Sequence, residues 1–290
     1  MDLEKAFAVS FEAQRPRLEA VAYRMLGSFG EASDAVQEAW INASRADRTG
    51  VTNLGGWLTT VVSRVCLDLL RARTARRETS VGTALPDFVL AYDDPGAERA
   101  LEQVDELGLA LLVVLDTLEP AERLAFVLHD LFSIPFDDLA SVLERSPGAA
   151  RQLASRARRR IRREVPKPDP DAHAKRRAVE AFLDAARAGD FEGLLAVLDP
   201  DVVLRADGGA GALAVLRSAQ RVAAQATTFA KAAASATPVR VNGAPAIVTW
   251  LPDGRPMSIM AFTVSGGRIV AIDALTDPAR LGKLLGRRGG

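Results

Sequence analysis

Residues 166–171 read PKPDPD, and the hydrophobic pattern changes class across them. Three prolines in five residues favour an extended spacer, so the chain divides there. Before the divide, apolar residues recur at helical spacing. After it, helical patterns at 172–188 and 190–198 and an alanine-rich helix near 211–234 give way to four alternating runs, PVRVN, AIVTWL, MSIMAFTV and RIVAIDAL. The runs are separated by Asn242 and Gly243, by Pro252, Asp253 and Gly254, and by Ser265, Gly266 and Gly267, all strong hairpin signals. Residues 172–290 are therefore expected to form an α+β meander whose helices cover a sheet face. Residues 166–171 are its linker.

Just upstream, residues 135–163 carry a helix–turn–helix pattern. Phe136, Leu139, Ala140 and Leu143 fall at i, i+3, i+4 and i+7, one apolar face of a short helix. Ser146 offers an N-cap oxygen, and Pro147 suits the first turn of a second helix. Ala150, Leu153, Ala157 and Ile161 give that helix its inward face. Arg151, Gln152, Ser155, Arg156, Arg158 and Arg159 then face elsewhere, and no acid follows Glu144 as far as residue 163. A capped second helix with this surface points to duplex DNA; the plainer reading is a solvated basic face.

Residues 1–78 read as helices at 11–26, 31–46 and 57–77, with a loop at 47–56. On the third, Leu58, Val61, Val62, Val65 and Leu69 form an apolar stripe, while Thr60, Arg64, Asp68 and Arg71 line another face. Arg71, Arg73, Arg76 and Arg77 make a basic end, which also suits a helix C-terminus. Residues 79–97 lose periodicity and form a linker broken by Pro86 and by Pro95 with Gly96. Its Leu85, Phe88, Val89, Leu90 and Tyr92 are too apolar for water, so the segment is expected to dock on something. Residues 98–165 return to helices at 107–118 and 119–131 and end in the helix–turn–helix.

The formal net charge of zero averages unlike segments: residues 81–130 hold two basic against eleven acidic side chains, and residues 131–165 eight against four. An acidic stretch before a basic helix suggests shielding, or simply a soluble connector. Cys66 is the one cysteine, which excludes an internal disulfide and fits a reducing cytoplasm. With His129 and His173 as the only histidines, no zinc site or other metal site is expected, and no cofactor. Residues 1–17 carry charges throughout rather than a signal peptide's apolar region, and no run is long enough to span a membrane.

In their order, AYRMLGSFGEASDAVQEAWINA (22–43), GGWLTTVVSRVCLDLLRARTARR (55–77) and the stretch from LDTLEPAERLAF to RRRIRR (115–163) resemble the extracytoplasmic-function (ECF) sigma factors of the sigma-70 family. The last unit resembles a SnoaL-like cone, the extension carried by the SigJ type of that group. ALPDF (84–88), LDPDVV (198–203) and ADGGA (206–210) are similar to short motifs of that subgroup, although ADGGA lacks the lysine that often follows the glycines. The resemblance implies a multidomain fold: a region 2 helical bundle, a region 4 helix–turn–helix and an α+β SnoaL-like cone. It implies core RNA polymerase and promoter DNA as partners, a cytoplasmic location, and contact of the cone with the sigma domains or their linker.

It also implies site residues. Asp34, Gln37 and Glu38 match the polar surface that the family packs against a coiled coil of polymerase. Asn53, Trp57, Arg64, Asp68 and Arg71 match its minus-10 reader, with Trp57 open to two readings, base stacking and core packing. Arg151, Gln152, Ser155 and Arg156 match its minus-35 reader, with Arg158 and Arg159 toward phosphates. The cone lacks tyrosine, hence the oxyanion donor of ketosteroid isomerase, so no catalytic residue is expected. Asp207 and Asp273, beside Arg205 and Trp250, are the acids an enzyme reading would need. The competing function is a ligand-sensing helix–turn–helix repressor, which has no use for the pattern at 31–77.

Overall fold

The structure is a computed structural model. It describes residues 3–75, 84–91, 108–165, 167, 169–209 and 213–285. Arg76, Arg77, Tyr92 and six of the eleven acids of residues 81–130 lie outside the described residues.

The described residues of Met1–Val81 and Val114–Glu164 form one compact unit, and those of Gly82–Val113 and Val165–Gly290 form another. In the first, α1 (Leu3–Leu26), α2 (Phe29–Arg45) and α3 (Leu54–Ala75) pack together. α1 begins eight residues before the expected start, because Phe7 extends its apolar face: Trp40 of α2 stacks on Phe7 at 5.3 Å and meets Phe11 edge-on at 4.9 Å. Gly27 ends α1 in a left-handed turn (φ 77°), its N–H donating to the Tyr23 carbonyl at 2.7 Å. α4 (Leu109–Asp116) belongs to the second unit as far as Val113 and to the first from Val114, and α5 (Pro120–Phe126) follows, widening into a π turn over Val127–Leu131. α6 (Phe136–Leu143) and α7 (Pro147–Glu164) complete the helix–turn–helix. Glu144 closes α6 in the left-handed region at φ 55°.

In the second unit, α8 (Ala172–Ala188) and α9 (Phe191–Val197) precede β2 (Leu198–Asp207), β3 (Ala214–Arg217), α10 (Ala219–Thr228) and α11 (Ala230–Ala233). The four expected strands are β4 (Thr237–Val241), β5 (Ala244–Trp250), β6 (Pro256–Ser265) and β7 (Arg268–Leu275), followed by α12 (Pro278–Leu285). The helix expected near 211–234 is corrected: residues 214–217 pair with β2, and the helix starts only after Ser218. Alanine's helical preference yields there to the ladder from Val203 opposite Arg217 to Ala206 opposite Ala214.

The sheet runs β1-β4-β5-β6-β7-β2-β3, where β1 (Leu90–Ala91) comes from the expected linker and pairs with β4. β2 lies parallel to β7, and the other neighbours are antiparallel. Strand alternation gives the sheet two apolar faces. One, with Ile247, Phe262 and Ile272, packs under Val179 and Phe182 of α8 and Val222 of α10. The other, with Val248, Ile259, Ala261 and Leu275, is covered by Leu85, Phe88, Leu109 and Leu281. The apolar linker segment thus finds its docking surface on the sheet.

Candidate nucleic-acid interface

The turn before α7 is built as its sequence dictates: Ser146 Oγ accepts the Ala149 N–H at 3.2 Å, capping a helix that begins with Pro147. Ala150, Leu153, Ala154 and Ala157 are buried, and the small residues among them let α7 lie close to the buried side chains of α6. Ile161, expected inward, is only half-buried, because the helix runs past its supports.

Arg151, Gln152, Arg156 and Arg159 are exposed on the opposite face, with Ser155 and Arg158 half-buried. Three of the cations already have neighbours. Arg158 Nε donates to Asp130 at 2.7 Å, Arg159 Nη1 to Ser155 Oγ at 3.3 Å, and the Arg151 guanidinium lies 5.3 Å from the Phe136 ring centre. Gln152 and Arg156 make no side-chain hydrogen bond among the described residues. The helix therefore offers two free polar tips among three braced arginines.

The bundle of α1 to α3 carries the other predicted residues. Asp34, Gln37 and Glu38 are exposed on α2, and Ile41, which sequence reasoning passed over, joins them at 40% exposure. Asn53 caps α3, its side-chain oxygen accepting the Gly56 N–H at 3.0 Å, which leaves its amide N–H groups for a partner. Trp57 is half-buried and lines a groove of about 510 Å³ together with Glu38, Asn42, Val61, Arg64 and Asp68. Val61 and Leu69, of the expected apolar stripe, are half-buried and form walls of this groove. The buried face of α3 includes Thr59 and Ser63 instead, whose hydroxyls donate to the Gly55 and Thr59 carbonyls. Arg71 pairs with Asp68 at 3.6 Å on the surface.

Arg64 Nη2 also donates to the Ser141 carbonyl of α6 at 3.1 Å, so the helix–turn–helix lies directly against the predicted minus-10 helix. The same unit buries a residue that no sequence signal marked. Arg123 of α5 is 2% exposed, donates to Asp116 at 2.9 Å and to the Arg24 carbonyl at 3.4 Å, and leaves Nη2 without a partner. Burial pulls its pKa below the usual guanidinium value, against the pull of Asp116.

In the second unit the acids of the enzyme reading hold structure. Asp207, at the end of β2, accepts the Leu85 and Gly209 N–H groups at 2.9 and 3.0 Å and Arg280 Nη1 at 2.5 Å. Arg280, from α12, also donates to the Leu85 and Pro86 carbonyls at 3.0 and 3.1 Å and to Asp87 at 3.0 Å. Asp273 is bound at both oxygens by Arg205, at 2.6 and 3.1 Å. Its burial raises its pKa despite that partner. Asp207 and Arg280 together clamp Leu85 to Asp87 of the ALPDF segment onto the sheet.

Comparison with known proteins identifies three segments. Residues 11–76 match the model of sigma-70 region 2, residues 108–161 that of sigma-70 region 4, and residues 179–272 that of a SnoaL-like domain. The chain is 42% identical to the ECF RNA polymerase sigma factor SigJ of Mycobacterium tuberculosis, over 72% of this chain and 67% of that protein. It is 34% identical to a probable ECF sigma factor, SigI, of the same organism, over 98% and 97% of the two chains. The crystal structure of M. tuberculosis SigJ superposes with a TM-score of 0.72 at 36% identity, covering 94% of this chain and 97% of that one.

Proposed function

The chain belongs to the ECF sigma factors of the sigma-70 family, and from that premise we propose how its surfaces divide the work of initiation. It binds core RNA polymerase, directs promoter recognition and starts transcription, a non-enzymatic task. Residues 1–78 act as region 2, 98–165 as region 4 and 172–290 as the regulatory cone, joined by linkers at 79–97 and 166–171. The work is done in the cytoplasm, where polymerase and promoter meet.

Asp34, Gln37 and Glu38, with exposed Ile41, form the polymerase-facing patch of α2, acids and an apolar contact suited to a basic partner helix. The groove of Trp57, Arg64 and Asp68 receives an unstacked minus-10 base, with Trp57 and Val61 as apolar walls and the charged tips reading edges. Asn53 contributes through its amide, and Arg71 through a nearby phosphate. On α7, Gln152 and Arg156 reach minus-35 base edges, with Arg151 and Ser155 beside them, while Arg158 and Arg159 lie toward phosphates.

The minus-10 and minus-35 elements lie about 25 base pairs apart, roughly 85 Å at 3.4 Å per pair. Arg64 and Ser141 touch, so this conformation is closed to the promoter, and polymerase must draw the two readers apart. The observation that carries cis regulation is the Arg280–Asp207 clamp on Leu85 to Asp87, because it fixes the connector that must pay out as the readers separate. Asp207 and Asp273 serve as anchors, with no catalytic role.

Footprinting with and without core polymerase tests this reading. Protection of both promoter elements only when polymerase is present is expected. Tight, specific protection by the free protein would favour a repressor instead.

A further inference from the structure

One short piece of backbone, the π turn Val127–Leu131, braces two of the arginines of α7. Its Asp130 accepts Arg158 Nε at 2.7 Å, and both Nη groups of that guanidinium stay without a hydrogen bond among the described residues. Its His129 ring stacks on Phe136 of α6 with centroids 3.8 Å apart, and the Arg151 guanidinium lies 5.3 Å from the centre of the same phenyl ring. His129 is fixed in turn. Its Nδ1 lies 3.0 Å from the Ile134 carbonyl, which can only accept, so Nδ1 carries the proton and donates. The Ile134 N–H donates to the Leu128 carbonyl at 2.9 Å and the Ser133 N–H to the His129 carbonyl at 3.1 Å, which ties the loop into α6 to the turn.

Successive side chains of an α-helix diverge by about 100°, whereas a π turn holds more residues per turn and narrows that angle. The widening at the end of α5 therefore lets the neighbours His129 and Asp130 both reach the helix–turn–helix, one at the start of α6 and the other along α7. Val127 and Leu128, ahead of them, are buried and anchor the turn. Charge alone does not account for Asp130, because an acid beside a phosphate-binding cation repels the phosphate. Direction does. With Nε engaged, the Nη edge of Arg158 is the edge left for DNA.

We propose that the π turn is the positioning element of the minus-35 reader: Asp130 aims the Nη edge of Arg158 at a phosphate, and His129, through Phe136, aims Arg151 into the groove. A free arginine loses its rotamer freedom when it meets DNA, and a braced one has lost it beforehand. Asp130, His129 and Phe136 are thus positioning residues that act through the two arginines. Their role rests on the reading of α7 as the minus-35 helix.

The test is transcription by core polymerase with the full-length chain, on the cognate promoter and on templates substituted base by base in the minus-35 element. Asp130→Ala should lower the yield at limiting protein about 5-fold on every template alike, since a phosphate contact carries no base information. Asp130→Asn keeps an oxygen for Arg158 Nε and should hold at least the wild-type yield. His129→Ala should cost about the same factor as Asp130→Ala. It should also flatten the preference at the base where Arg151→Ala flattens it, with Phe136→Leu as the second variant where His129→Ala does not fold. The double variants decide. Asp130→Ala should have no further effect once Arg158 is replaced by alanine, nor His129→Ala or Phe136→Leu once Arg151 is. Losses that add within either pair overturn the positioning role, as do Asp130→Ala and Asp130→Asn both rising above wild type, the mark of a screening acid, or both falling equally, the mark of an ion pair that only stabilises. If Arg151→Ala and Arg158→Ala themselves leave yield and base preference unchanged, the minus-35 reading of α7 falls and the positioning role with it.

Discussion

Replacing Arg280 with alanine removes four hydrogen bonds at once: one to Asp207, one to Asp87 and two to linker carbonyls. Bonds to a charged group contribute about 1.5–3 kcal/mol each when buried, but Asp87 and Arg280 are partly exposed and solvent screens their pair. Asp207 is buried yet keeps the Leu85 and Gly209 N–H groups, which offset part of the loss. Together these place the loss of linker docking near 3 kcal/mol, roughly a 100-fold fall in the docked population. Hydrogen exchange reads it directly. Leu85 N–H is held by Asp207, Val89 N–H by the Asn242 side chain at 3.0 Å, and Asn242 N–H by the Val89 carbonyl at 2.9 Å. All three amides should exchange about 100-fold faster in the variant, with Ile247 and Phe262 in the sheet centre unchanged. Arg280→Lys should recover part of the protection, because an ammonium meets one carboxylate without the planar fork. Equal protection in wild type and Arg280→Ala would refute the reasoning.

Three further outcomes follow from the same geometry. Arg123→Ala should lower stability by about 3 kcal/mol in urea unfolding, whereas Arg123→Met with Asp116→Asn, which removes the desolvated pair while keeping volume, should lose less than half of that; a neutral single variant would contradict it. Gln152→Ala and Arg156→Ala should each cut initiation roughly 10-fold at the cognate promoter and relax the preference at one minus-35 base, as measured by transcription from base-substituted templates. Burial pushes the Cys66 thiol up to about 12, so at pH 8 the folded protein should resist iodoacetamide until denaturant is added; labelling of native protein within minutes would count against this.

Local chemistry was what the sequence made legible. Asn242 and Gly243 both take positive φ, 48° and 72°, so the hairpin between β4 and β5 was written in two residues. Ser146 and Pro147 announced α7 in the same way. β2 escaped because LDPDVVLRAD lacks clean alternation, and its parallel partner lies about 70 residues downstream. β3 was hidden in an alanine-rich stretch whose propensity the ladder overrides. On α3 the helical period identified an apolar side but not its limits, and Val61 and Leu69 ended in a groove with Trp57. Arg123 was illegible, because burial of a single arginine depends on tertiary packing. Arg280 likewise shows its role only once α12 brings it to Asp207 and the linker.

Run-off transcription with core polymerase tests the central claim most directly, comparing the full-length chain with residues 1–165. The account predicts promoter-specific transcripts only when polymerase and this protein are both present, with a yield that changes when the cone and its clamp are removed. Transcripts that do not depend on the protein, or identical yields from the two forms, would contradict it.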